Sequence, residues 1–450
     1  MTTQKLTDNS METVQSFLKA DTRKVPSVLL ETTSKNLGNA NIPNDIFFSQ
    51  DAHNLEVEKL WKKVWQWVCR EENLANVGDY ITYEIADLSV ILVRGTDYKI
   101  RGFYNSCLHR GTQLCVDQGH ALALRCPFHG WTWKLDGTLS HIPCEWDFEQ
   151  VDNQVFKLPE VKVETWQEFV FINFDPNSES LESYLENIPE HFQQFALKNR
   201  FIAAHAVKVM PANWKVVLGA FLEAYHSITT HPQILKFTGD ANSQYDIYGR
   251  HNRMITPFAV TSPHLGKSSD PLSAAKAFLA FGGTDINTIN FPENGSSRPF
   301  AAEVSRQAFQ QLTGVDYTEV SDAEMLDAIS YFIFPNFMSW PGVGSPLQFR
   351  FRPYGNNPDA SIMDILLLRP FVEGNRPTAA PTRWLTSEQK WADAPELGGL
   401  GGVLDQDTSN LYRIQKGLKT SAKTGITLGK YQESRIRHFH NTLTQQLQTE

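Results

Sequence analysis

CLHRGTQLCVDQGHALALRCPFHGW, residues 107–131, decides how the first half of the chain is read. It carries two Cys-His pairs, Cys107-Leu108-His109 and Cys126-Pro127-Phe128-His129, with sixteen residues between them. Two thiolates and two imidazoles on short loops can hold a tetrahedral zinc ion. They can equally hold a [2Fe–2S] cluster in which two histidines replace two cysteines on one iron. Arg110-Gly111-Thr112 follows the first pair and Gly130-Trp131 the second, so each pair sits on a glycine-hinged loop able to bring backbone N–H groups close to sulfur. Zinc fingers typically carry their histidines on a helix, whereas this region reads as strands and turns. Cys69, Cys115 and Cys144 show no partner spacing and are expected to be buried small hydrophobes, with His120 and His141 ordinary loop or core residues.

Working outward, Tyr80 to Arg94 and Lys99 to Tyr104 are β-branched and aromatic runs, broken at Gly78-Asp79 and Gly95-Thr96-Asp97. Trp131 to Trp133, a turn at Asp136-Gly137, and Phe169 to Phe174 continue the pattern. This predicts a small all-β domain ending near Asp175-Pro176-Asn177-Ser178. Upstream, Val57, Leu60, Trp61, Val64, Trp65 and Val68 fall at helical spacing and predict an amphipathic helix. Residues 1–45 are polar and without period, and are expected to be a loosely ordered arm. Beyond 176, helical patterns alternate with strands such as Gln348 to Arg352 and Ile362 to Arg369, an α+β domain. There the stretch 262–300 reads as loops, and Gly398-Gly399-Leu400-Gly401-Gly402 as a bend before a helix starting near 405. The division expected is therefore 1–45, 46–175 and 176–450.

Composition limits the functions available. At 450 residues, 41% hydrophobic and 20% charged, the chain can bury two cores. A net charge of −9 argues against nucleic acid as the main partner. No apolar run approaches the ~18 residues of a membrane span. The first ten residues lack a signal-peptide core, and five cysteines do not make a disulfide framework. A cytoplasmic protein is expected.

A second constellation lies in NWKVVLGAFLEAYHSITTH, residues 213–231. Trp214, Val217, Leu218, Phe221 and Tyr225 predict an amphipathic helix, on which Glu223 and His226 are neighbours at i and i+3. His226 and His231, five apart, would point about 140° away from each other on an unbroken helix. Thr229-Thr230 and Pro232 supply the break that lets the second imidazole turn back. The anion best placed to join them is Asp407, at i−4 and i−7 from the apolar Leu411 and Ile414, while Asp405 projects elsewhere and reads as solvated. Two histidines and one carboxylate make the facial triad that leaves open positions on a non-haem Fe(II).

The Cys-His set resembles the Rieske family, whose Cys-x-His and Cys-x-x-His pairs stand at this separation. That resemblance implies that Cys107 and Cys126 bind one iron, and His109 and His129 the outer one. With the triad, the chain resembles the large subunit of the Rieske non-haem iron, ring-hydroxylating oxygenases from about 45 to 440. Asn213-Trp214-Lys215 matches the family's Asn-Trp-Lys, and Glu223 its acidic residue before Ala-Tyr-His, where many members have Asp. Asp407, followed eight residues later by Gln415-x-Gly417-Leu418, matches the later motif.

The resemblance implies an N-terminal all-β Rieske domain and a C-terminal helix-grip (START-like) catalytic domain with an antiparallel sheet. It implies a [2Fe–2S] cluster, a mononuclear Fe(II), and Glu223 and Asn213 as catalytic-site residues. The expected activity is hydroxylation of an aromatic or other hydrophobic substrate, by dihydroxylation, mono-oxygenation or demethylation. Electrons would come from a separate ferredoxin or NAD(P)H reductase, since no G-x-G-x-x-G stands between a strand and a helix. A homotrimer is implied, with or without a β subunit, in which Glu223 links His129 of one subunit to His226 of the next. Phe278 to Phe281 and Tyr331 to Phe337 are candidate cavity linings, or simply core. A Rieske electron carrier fused to a hydrophobic-ligand-binding domain would share the first site and hold two irons where the oxygenase holds three. A zinc-structured binding protein would be colourless.

Overall fold

The β-branched and aromatic runs of the first half pair into one antiparallel sheet of seven strands. Its order is Gln66–Arg70, Phe169–Asn173, Glu160–Trp166, Ile100–Tyr104, Leu88–Arg94, Asp79–Ile85 and Gln118–His120. A second, three-stranded sheet, Leu124–Arg125, Thr132–Trp133 and Leu139–His141, carries the second Cys-His loop at its end. The computed structural model describes residues 12–449 apart from 153, 154, 267 and 345.

The second domain is built on eight strands, in the order Gln244–Tyr248, His251–Thr256, Ala328–Ile333, Phe337–Ser339, Leu347–Tyr354, Asn357–Pro370, Arg200–Met210 and Thr382–Leu385. All neighbours are antiparallel except the last pair, where Thr382–Leu385 runs parallel to Arg200–Met210. The long C-terminal helix Ser434–Gln448 lies against this sheet, its Phe439 ring 5.7 Å from Phe332 and 5.5 Å from Trp214. An antiparallel sheet gripping a long helix, preceded by an all-β domain, is the α+β class expected. Among the described residues no helix is long and apolar enough to cross a membrane.

The two domains share one hydrophobic core. Trp67 and Phe169 of the first sheet pack with tilted rings against Phe337 of the second, at 4.5 and 4.9 Å between ring centroids. A polar latch sits beside this contact. Arg350 and Arg352, alternate residues of Leu347–Tyr354, reach across and donate to backbone carbonyls of the first domain: Arg350 to Trp67 at 3.3 Å, Arg352 to Glu84 at 2.7 Å. Both guanidiniums face the buried Asp364, 2.7 Å from Arg350 and 3.7 Å from Arg352, and His205 lies 3.2 Å away on its other side. Burial alone would raise the Asp364 carboxyl. The charges of Arg350 and Arg352 and the hydrogen bond from His205 win, and hold it far below the ordinary range.

Several sequence expectations meet corrections here. The stripe Val57–Val68 is not one helix. A helix at Gln50–Glu56 and a π-turn at Val57–Trp61 end before a turn, and Gln66–Arg70 is a strand in which all five residues are buried. A strand buried on both faces has no period-2 alternation, so its apolar residues completed a false helical stripe. Of the arm expected over 1–45, residues 1–11 lie outside the described residues, and 12–45 are not loose. Val14, Leu18, Val28 and Leu29 are buried, Thr33 N–H donates to Asp246 at 2.8 Å, and Arg253 donates to the Glu31 carbonyl at 3.0 Å. The segment docks one residue at a time along a sheet edge, which leaves no period to read. The loop expected over 262–300 contains the helix Ser273–Phe281, and Cys144 is exposed where a buried residue was expected. Tyr331, Phe332, Phe334 and Phe337 are core aromatics of the sheet, and Phe278 packs on Phe237 and Phe258.

Candidate metal centres

The first centre is assembled from two tight turns. Gly111 and Gly130 have φ of +80° and +73°, the left-handed conformation that a side chain disfavours, and each N–H closes back on the carbonyl of Cys107 or Cys126. The turns aim the N–H groups of His109 and Arg110 at the Cys107 sulfur, and those of Phe128 and His129 at the Cys126 sulfur. Burial raises both thiols. At Cys126 the N–H groups, with hydrogen bonds from Cys107 and Thr112, outweigh burial and lower it, whereas at Cys107 burial prevails, helped by the charge of Cys126. The histidine rings lie 4.7 Å apart, and the Nδ1 atoms of His109 and His129 are both buried without a hydrogen-bond partner.

Buried imidazole nitrogens are rarely left unpaired without a reason, and two of them, on loops that each also carry a thiol, fit a cluster ligand set. No three of the four donors gather about one point, as a single tetrahedral zinc would require. Trp131 stacks flat on His109, with centroids 4.9 Å apart and planes within 1°, and Arg110 donates to Nε2 of His129 at 2.6 Å. Both contacts fix ring orientation. Neither was assigned a role from sequence, although both residues stand in the flanks quoted for the motif.

The second centre depends on a helix break earlier than the sequence suggested. Trp214–Gly219 is helical and Ser227–Thr230 forms one further turn, with 220–226 irregular between them. Tyr225, expected on the apolar face, is therefore exposed. His226 and His231 bracket the short turn, their rings 5.2 Å apart. Asp407 arrives from the helix Leu400–Thr408, which starts inside the glycine run rather than near 405. Its Oδ1 lies 2.7 Å from Nε2 of His231 and 3.2 Å from Nε2 of His226. Among the described residues these three form the group whose donor atoms, all within 4.8 Å of one another, could close on one ion. Burial would raise the Asp407 carboxyl, but the hydrogen bonds of His226 and His231 hold it below the ordinary range. Burial likewise opposes charge on His226, yet Asp407 and Glu223 raise it to about 10. The residues fit a facial triad for iron.

Around the triad, Glu223 takes the place expected beside His226. Its Oε1 accepts from Nδ1 of that ring at 2.7 Å and its Oε2 from the His226 backbone N–H at 2.9 Å. Gln406, which no spacing singled out, contacts Nδ1 of His231 through its Oε1 at 2.9 Å and turns Nε2 toward Asp407. Asn213 is not brought to the triad. It caps Trp214–Gly219, accepting the Lys215 N–H at 3.1 Å and donating to the Pro358 carbonyl at 2.7 Å, while its own N–H donates to Gln415 at 3.0 Å. Asp405 is not simply solvated either. It accepts the backbone N–H groups of Trp391 and Ala392 at 2.7 and 3.2 Å.

A cavity of about 240 Å³ opens beside Glu223, His226 and Asp407. Its walls are aliphatic, including Val216, Leu411, Ile414 and Ile436, with Lys215, Glu433 and His440 among its polar groups. Neither phenylalanine-rich stretch lines it.

Comparison with known proteins agrees with this construction. The profile of the Rieske [2Fe-2S] domain family matches residues 64–159, and that of the ring hydroxylating alpha subunit (catalytic domain) family matches residues 190–449. The carnitine monooxygenase oxygenase subunit of Escherichia coli (strain K12) is 38% identical over 195 residues, 42% of this chain and 52% of that protein. The benzene 1,2-dioxygenase subunit alpha of Pseudomonas putida is 31% identical over 193 residues, 41% of this chain and 43% of that protein. The chain thus spans about half the length of the curated relatives it matches. A quaternary ammonium Rieske monooxygenase solved in complex with L-carnitine superposes with a TM-score of 0.63 at 22% identity, over 91% of this chain and 96% of that one. Naphthalene 1,2-dioxygenase with indole bound gives 0.63 at 18% identity, over 93% and 94%. These two superpositions show a common fold. A Rieske cluster at Cys107, His109, Cys126 and His129 and a mononuclear iron at His226, His231 and Asp407 are the groups that the two matched domains imply and the donor sets fit. The chain belongs to the ring-hydroxylating alpha subunit family, with a Rieske domain ahead of its catalytic domain.

Proposed function

We propose that this chain is the terminal oxygenase component of a multicomponent system, and that it mono-oxygenates a small quaternary ammonium compound. One observation carries the oxygenase reading: His226, His231 and Asp407 converge on one point in a chain that also holds the Rieske donor set. A mere electron carrier has no use for the second set. When bound, the cluster would store single electrons and the iron would supply O2 reduction and insertion into a C–H bond.

The protein's own residues do the rest. Asp407 and the two imidazoles occupy one side of the metal position and leave the other open. Glu223 and Gln406 hold the two rings by their Nδ1 atoms. Electrons come from a separate ferredoxin or NAD(P)H reductase. The working assembly is a homotrimer in which Glu223, already bonded to His226, also reaches His129 of the partner subunit, accepting from its Nε2 in place of the Arg110 contact of the single chain.

Two relatives support the substrate class, since they are named for carnitine and glycine betaine. Iron analysis with anaerobic reduction and single turnover tests the reading, using a panel of quaternary amines, aromatic acids, phenolic ethers and steroids. The expected result is three irons per chain and oxygenated product from a quaternary amine. Two irons per chain would overturn the oxygenase reading. Turnover of aromatic members alone would overturn the substrate class and restore the aromatic expectation.

A further inference from the structure

We infer that Gln233 is a positioning residue for the mononuclear iron, acting through Gln406 to hold His231 in the tautomer that leaves Nε2 for the metal; this deepens, and rests on, the oxygenase reading above. An imidazole ligates through one ring nitrogen, and the hydrogen bond made by the other decides which one is free. Nε2 of His231 is the atom turned to the metal position, 2.7 Å from Oδ1 of Asp407. Nδ1 must then carry the proton, and its partner must be an acceptor. The two histidines of the triad meet that demand differently. At His226 the acceptor is the Glu223 carboxylate, 2.7 Å away, which presents oxygen however it turns. At His231 it is Oε1 of the Gln406 amide, 2.9 Å away. An amide turned end for end presents an NH2 group, and the ring would then have to move its proton to Nε2, the metal's own atom.

A second amide bears on that choice. Nε2 of Gln233 donates to the same Oε1 of Gln406 at 2.6 Å, so one oxygen accepts from both sides. With its donor aimed inward, Gln233 is satisfied only while that oxygen keeps the place facing His231. The backbone brings the donor there. Residues 231–234 form a turn closed by the Ile234 N–H on the His231 carbonyl at 3.0 Å, and Pro232 fixes φ at its second position. A ligand and the residue that secures its orientation thus stand two positions apart on one turn. Gln406 likewise stands next to Asp407 on Leu400–Thr408. The two amides clasp these ligand-bearing segments across 173 residues of chain. Gln233 is exposed whereas His231 is buried, so position 233 acts on the ligand from outside the core and can be changed without a packing cost.

Fe(II) binding to the full chain, with its Rieske cluster in place, tests this without turnover. Fe(II) is titrated against a competing chelator, while cluster absorption and the unfolding midpoint report that each variant is folded. Gln406→Leu should weaken binding ~10–100-fold, the range for losing the partner of a ligating histidine. Gln233→Leu should weaken it ~3–10-fold, the worth of one net hydrogen bond. The two together should bind no more weakly than Gln406→Leu alone, because the outer amide acts only through the inner one. Gln406→Glu presents oxygen whichever way it turns, so in that background Gln233→Leu should no longer change affinity. Should Gln406→Leu not fold, the glutamate background decides by itself. Wild-type affinity in Gln233→Leu, or the same loss from it in the Gln406→Glu background, overturns this role of Gln233 and leaves the triad standing. A wild type that binds no third iron overturns the oxygenase reading, and this inference with it.

Discussion

The smallest decisions in this protein are made by single donor atoms. Cys107 and Cys126, and His226 and His231, were identifiable because their spacing is a chemical requirement, independent of where the chain goes next. The orientation of each ring was not, because it depends on residues remote in sequence: Gln406 fixes His231 and Trp131 fixes His109. The two centres draw on separate domains, which makes their losses separable. His226→Ala, His231→Ala or Asp407→Ala should remove the mononuclear iron and product formation while visible absorption of the cluster persists. Cys107→Ser or His129→Ala should do the reverse, with one iron per chain by elemental analysis. Loss of all iron in either series would contradict the division. Glu223→Gln should keep both metals and slow reoxidation of the reduced cluster by substrate and O2 at least ~10-fold, the lower range for losing a partner of a ligating histidine. Rapid mixing of the pre-reduced variant measures it, and an unchanged rate would remove Glu223 from the path between subunits.

At the scale of elements, the carboxylate ligand depends on one close packing contact. Leu400–Thr408 lies so near the turn at Trp391–Asp393 that a Cβ on Gly401 would stand 2.7 Å from the Ala392 Cα. Asp405, on the same helix, ties down the N–H groups of that turn. Gly401→Ala should therefore push the helix outward, destabilise the protein by ~1–3 kcal/mol and lower iron occupancy at the triad. Asp405→Ala should cost ~1–3 kcal/mol through the stranded N–H groups yet retain the iron. Denaturation paired with metal analysis separates the two outcomes. The preference for Asp407 over Asp405 was legible, but the geometry behind it was not. Leu411 and Ile414, used to define the face, belong to the next helix, Leu411–Thr420, after a break at 409–410. Sequence periodicity does not register a two-residue turn between helices whose apolar faces nearly continue one another.

Across the whole molecule, stability rests on buried polar groups that join its parts. Asp364→Asn would leave Arg350 and Arg352 without their counter-charge at the domain junction. It should cost ~3–5 kcal/mol, seen as a lowered unfolding midpoint. Four buried histidines add a pH dependence. Burial lowers His191 and His438 to about 4, and His251 and His440 to about 3. The unfolded chain takes up protons at these residues near pH 6.5 while the folded one stays neutral. Their contribution is thus intact above about pH 6.5 and is lost as pH falls toward 3–4, by ~1.4 kcal/mol per proton and pH unit. A midpoint of urea unfolding independent of pH between 7 and 5 would contradict this.

What the sequence determined by itself was local and chemical: the ligand pairs, the short-strand texture of the first domain, and the residue types of the triad. These follow from covalent spacing and from alternation along a strand. Tertiary structure decided that Gln66–Arg70 is a strand, at the edge of its sheet yet buried throughout, that residues 12–45 lie docked on the sheet, and that Asn213 caps a helix instead of facing the metal. It also brought Glu433 and His440, from the C-terminal region, to the cavity beside His226. Apart from the Asn213 cap itself, whose Lys215 N–H is two residues on, each of these depends on partners from about one hundred to more than two hundred residues away. Burial and hydrogen bonding are paid out between such partners only after the chain has closed on itself, so no pattern within a window of the sequence records them.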